Sequence, residues 1–153
     1  MKENVQISPQ TFTDTIDNLG DPMITVSFKF DRVINGGSRL IGRNLSIDYG
    51  KFQMPMCLMF FPNEEAVRIV HLEPSGPNIH LSEEAARSLN IWGTRKSSST
   101  EFQVYQHPND YIAIVLEKKT PVTTPDELKD WISEVKTLAP KFAQRLSREL
   151  HRI

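Results

Sequence analysis

Four histidines, one cysteine and three closely spaced arginines are the side chains of this sequence best suited to chemistry. Metal capture or proton transfer by imidazole needs a second ligand or an orienting carboxylate at a workable spacing. His71, His80, His107 and His151 have no histidine or cysteine partner at such a spacing. The one local pairing is His71 with Glu73, two residues apart and so on one face of a strand. Read plainly, these two are a surface pair, His107 is a turn residue beside Pro108, and His151 is near the terminus. Neither metal nor cofactor is expected. Cys57 sits among Met56, Leu58 and Phe60. An apolar setting raises a thiol's pKa and silences it as a nucleophile, so an inert core cysteine is expected.

Gly36-Gly37-Ser38-Arg39 has glycines beside a hydroxyl and a cation, but a phosphate loop needs a longer glycine run opening a helix. Here the glycines join two strand-like runs and read as turn residues. Arg32, Arg39 and Arg43 flank that turn and form a candidate cationic patch for an anion or a partner protein. Asp14 with Asp17, and Glu64 with Glu65, read as surface charge.

The chain has 153 residues, of which 39% are hydrophobic and 24% charged, which fits one soluble globular domain, 1–153, with residues 1–7 as a loose tail. A formal charge of −1 argues against a dedicated nucleic-acid binder. A single cysteine excludes an intramolecular disulfide and suits a reducing compartment. Residues 1–10 lack the apolar core of an export signal, so Asn44-Leu45-Ser46 is expected to be a chance glycosylation match. A cytoplasmic protein without membrane contact is expected.

These side chains must be positioned by elements that the patterning predicts. Ser8-Pro9 opens a short helix with Phe12, Ile16 and Leu19 on one stripe, and Gly20 stops it. Ile24, Val26, Phe28 and Phe30 alternate with polar residues as a half-buried strand. Asn35-Gly36-Gly37 turns it into a second strand carrying Leu45, Ile47 and Tyr49. Residues 52–61 are apolar at successive positions, which predicts a central strand covered on both faces; the alternative use of Met54–Phe61 is a ligand pocket. Ala66–Leu72 forms a further strand. Ser82 caps a second helix with Gly93 as its stop, and residues 95–100 form a polar loop. Phe102–Gln106 and Tyr111–Glu117 form a hairpin.

Thr124-Pro125-Asp126-Glu127 is a capping box opening the last helix. Its stripe runs through Leu128, Trp131, Ile132, Val135, Phe142, Leu146 and Leu150, and Pro140 predicts a kink or break. A straight helix from 124 to 151 would reach about 40 Å, longer than a small core covers. Its far end, Phe142, Leu146 and Leu150, is therefore a candidate partner surface, in the first instance for a second copy. The fold class expected is α+β, an antiparallel sheet of about five or six strands flanked by three helices.

The order of elements, with Phe61-Pro62-Asn63-Glu64-Glu65-Ala66-Val67-Arg68-Ile69, the helix from Ser82, the following hairpin and the Pro125 helix, resembles the type III secretion chaperone-like fold and its YbjN-like relatives. The likeness spans about residues 10–150 and is one of pattern, without a defining motif. It implies a flanked antiparallel sheet, a common dimeric state, no enzymatic activity, and clients held along apolar surface and sheet edges. The resulting reading is a non-catalytic protein-binding module, chaperone-like or regulatory and homodimeric. Two others compete. One is a small-ligand binder or enzyme whose site gathers Cys57, a histidine and a carboxylate only in three dimensions. The other is a nucleic-acid binder using Tyr105 and Tyr111.

Overall fold

The computed structural model describes residues 7–97 and 99–152, with only the main chain for residues 35, 151 and 152. Helix α1 (Pro9–Asp17) starts where Ser8 Oγ accepts from Thr11 N at 3.1 Å. Its weak threonine-rich sequence is held by packing, with Phe12 and Ile16 almost fully buried. Of the expected tail, Ile7 belongs instead to the core, at 7% exposure, and the rest lies outside the described residues.

The chain then runs through β1 (Ile24–Val33), β2 (Arg39–Asp48), β3 (Gln53–Phe61), β4 (Ala66–Pro74) and β5 (Ile79–His80). Helix α2 (Glu83–Lys96), the hairpin β6 (Thr100–His107) and β7 (Tyr111–Lys118), helix α3 (Pro125–Glu149) and a short β8 (His151–Arg152) complete it. Six strands form one antiparallel sheet in the order β1-β2-β3-β4-β7-β6, and β5 pairs with β8 as a two-stranded ribbon. The class is α+β. Gly36 and Gly37, at φ +79° and +80°, make the β1–β2 turn that the sequence predicts. Pro55 is tolerated in β3 because the β3–β4 pairing begins only at Cys57.

All three helices lie on one face of the sheet. Phe12 of α1 packs its ring 5.2 Å from Phe60 of β3, and Phe142 of α3 packs 5.3 Å from Phe102 of β6. Trp92 of α2 meets the same Phe142 at 6.0 Å, and Trp131 donates its indole N–H to Thr100 Oγ1 at 2.8 Å. Leu45, Leu58, Ile69, Ile112 and Leu128 fill the layer between helices and sheet. Among the described residues the other face carries no helix. The expectation that β3 is covered on both sides is therefore corrected. Met56, Leu58 and Phe60 are buried, while Cys57, Met59 and Phe61 point to the helix-free face and are half-buried.

A register shift between Val26 and Phe28 changes which side β1 presents. Ile24 and Val26 oppose the inward Ile47 and Leu45, but Phe28 and Phe30 oppose Asn44 and Gly42 on the helix-free face. The single alternating face read from the sequence is thus split in two. Gly42 makes room for this, because a Cβ there would lie 1.9 Å from the Phe30 ring.

Helix α3 continues unbroken through Pro140. Proline has no N–H for the carbonyl four residues back, which here is that of Lys136. Tyr49 supplies the missing donor, its hydroxyl bonding Lys136 O at 2.6 Å. The Lys136 ammonium in turn meets Asp21 at 2.5 Å, so one residue of α3 is tied to both flanks of the first hairpin. At the helix start Thr124 Oγ1 accepts from Glu127 N, but Glu127 reaches back to Thr123 N rather than Thr124 N.

Helix α2 does not stop at Gly93. It runs to Lys96, and Gly93 is the point where the Phe102 ring presses against it. Helix α2 also seals the β6 edge. The N–H groups of Thr100, Phe102 and Val104 donate to Ser97 Oγ, Thr94 Oγ1 and Asn90 Oδ1. Ser97, Ser99 and Thr100 are accordingly not part of a loose polar loop: Ser97 and Thr100 are buried, and Ser97 and Ser99 donate to the Glu134 carboxylate of α3. No helix among the described residues is long and apolar enough to cross a membrane.

Candidate functional site

The three arginines do not share one surface. Arg32 follows Phe30 onto the helix-free face and lies 5.5 Å from its ring centroid. Arg39 grips Asp31 with Nε and Nη2 at 3.0 and 2.6 Å. Arg43 is buried on the helical side, donating from Nε to Asp17 Oδ1 at 3.0 Å and from Nη1 to Gly42 O. Burial lifts the Asp17 carboxyl, but Arg43 and Lys29 together hold it below the usual range. Arg39 and Arg43 are thus each paired with an aspartate, and Arg43 ties α1 to the sheet.

His107 Nδ1 accepts from Asn109 N within its own turn, and His80 is exposed on β5. The side chain of His151 lies outside the described residues. Among those residues no cluster of three metal-ligating side chains forms. Cys57 is half-buried on the helix-free face rather than in the core, and burial pushes its thiol up to about 11. It cannot join His71 and Glu73, which lie on the opposite face of the sheet.

Two apolar surfaces remain. The first is the helix-free face. Its middle rows run Phe28, Asn44, Cys57, Val70, Val115, Gln103 and Phe30, Gly42, Met59, Arg68, Glu117, Glu101 across the six strands. Leu72, Tyr105 and Tyr111 extend it, and Phe28 and Leu72 are 51% and 54% exposed. Arg68, lying 4.8 Å from the Phe61 ring centroid and 3.7 Å from Glu117, sits among these apolar groups, and Glu117 and Glu101 are exposed beside it.

The second is a cavity of about 410 Å³ between the C-terminal half of α3 and the helical side of β3, β4, β6 and β7. Its depth is made by Met56, Ile69, Phe102, Leu116 and Phe142 and its rim by Phe52, Gln53, Glu73 and Leu150. His71 and Glu73, the pair legible in the sequence, both line it, with His71 Nε2 2.7 Å from Glu73 Oε2. Phe142 and Leu146 are buried and, with Leu150, line this cavity; the apolar stripe of α3 is spent on its own sheet. Sequence reasoning missed the cavity because its walls come from four strands and a helix far apart in the chain.

Fold and surfaces define an α+β protein with helices on one side of an antiparallel sheet and two apolar surfaces, one open and one recessed. No protein-family model, curated protein or solved structure matches the chain.

Proposed function

We propose that the chain is a non-catalytic, cytoplasmic protein-binding module, chaperone-like or regulatory, that holds a partner on the helix-free face of its sheet. One observation carries the reading: the central strand β3 is apolar on both sides, yet helices cover only one. Half-buried Cys57, Met59 and Phe61, with exposed Phe28 on β1 and Leu72 on β4, leave apolar side chains of this face in water. Such a face is unusual on a chain that works alone, and burying it in an interface is favourable by roughly 25 cal/mol per Å². Aromatic residues spread over it are the type that anchors protein partners. The first partner to consider is a second copy, giving a homodimer; the same face suits an extended apolar segment of a client.

A photo-crosslinking amino acid at position 72 tests this in the native host, with position 84 on the exposed side of α2 as control. The expected result is one reproducible adduct from position 72, either the chain itself or one partner, and none from position 84. Equal, diffuse labelling from both positions removes the proposal.

A further inference from the structure

We propose that the cavity under α3 is a second, independent site, which takes a small amphiphile with a hydrocarbon body and a hydrogen-bond-donating, neutral or cationic head. At about 410 Å³ it falls within the roughly 300–1,000 Å³ of small-molecule sites. Its depth, formed by Ile69, Phe102, Leu116 and Phe142, offers no polar side chain, so the part of a ligand that enters must be apolar. Met54 and Met56 form one wall, and the thioether side chain adapts to varied hydrocarbon shapes.

The polar groups sit together at the opening, and their chemistry selects the head. Glu73 is the one carboxylate among the described lining residues. When neutral His71 donates from Nε2 to Glu73 Oε2, its Nδ1 is left as an acceptor. Glu73 keeps a second oxygen with free lone pairs. Both groups then present acceptors to whatever arrives, and among the described residues no lysine or arginine lines the cavity. An alkylamine or fatty alcohol meets that arrangement with donors, whereas a carboxylate meets like charge with no cation to offset it. The site therefore discriminates by head group and is indifferent to the detailed shape of the tail.

Displacement of the fluorescent probe N-phenyl-1-naphthylamine by decylamine, decan-1-ol and decanoate tests the assignment on the full chain. Saturable displacement is expected from decylamine and decanol, with decanoate weaker by roughly tenfold or more, the scale of one charge-assisted hydrogen bond. Glu73→Gln is expected to weaken decylamine by a similar factor while the thermal midpoint stays in place, since Glu73 is exposed at the rim. Ala143→Trp, which fills the cavity from α3, is expected to abolish probe binding, and circular dichroism verifies that this variant is folded. Leu72→Glu alters only the helix-free face and is expected to leave displacement unchanged. Decanoate binding as tightly as decylamine, Glu73→Gln without effect, or loss of probe binding in Leu72→Glu would each overturn the proposal. The last of these would leave the helix-free face as the apolar binding surface, so the two proposals fail separately.

Discussion

Tyr49 and Pro140 are a matched pair of defects. A half-buried phenol benefits from a partner, and a proline within a helix orphans a carbonyl; each supplies what the other lacks through Lys136 O. Burial alone raises the Tyr49 hydroxyl pKa, which keeps it a neutral donor. Tyr49→Phe is expected to destabilise the fold by about 1–3 kcal/mol, because it strands that carbonyl. In a Pro140→Ala background, where the alanine restores the helical N–H, the same change is expected to cost distinctly less. Urea denaturation of the four proteins in this cycle measures the coupling. Additive costs would mean that the hydroxyl and the proline are unrelated. Nothing local to either residue announces the pairing, since 87 positions separate Tyr49 from Lys136. The caps at Ser8, Ser82 and Thr124, by contrast, are legible because cap and recipient lie three residues apart.

At the scale of elements, patterning locates the helices and main strands but misjudges what covers them. Apolar residues at successive positions of β3 read as two-sided burial, whereas that pattern fixes only the character of the faces and not their neighbours. The β1 alternation hides a bulge because its period of two persists through it, although the faces exchange. Gly93 is a plausible helix stop on local grounds. Its real role is contact: a Cβ there would stand 2.5 Å from Phe102 Cγ. Gly93→Ala sets a helix-propensity gain of about 1 kcal/mol against overpacking of about 1–3 kcal/mol. Because the Phe102 ring is itself buried, net destabilisation is expected, read as a lower urea midpoint. A more stable variant would show that the ring has room to yield. The candidate site divides the same way. His71–Glu73 is visible as a pair two residues apart, while the cavity that gives the pair a setting depends on strand order.

For the whole molecule, Cys57 reports on the helix-free face. With its thiol pushed up to about 11, little thiolate exists near neutrality, so labelling by a thiol reagent is expected to be slow. The sign is fixed: raising pH toward that value increases the rate about tenfold per unit. If two copies meet on this face, labelling at high protein concentration is expected to fall further below that at low concentration. Leu72→Glu is expected to remove the concentration dependence. Fast stoichiometric labelling of the folded protein would place the thiol in an open, polar setting instead.

The sealing of β6 by α2 leaves the sheet with a valence of one. Among the described residues β1 pairs only with β2, so its outer side is the edge at which another strand can join. Should two copies pair there, each uses the same edge, and both far ends of the joined sheet are already closed by side chains from α2. Addition stops at two. A fibre needs a second open edge on every member, and the side-chain acceptors Asn90 and Thr94 of α2 and its capping Ser97 withhold it.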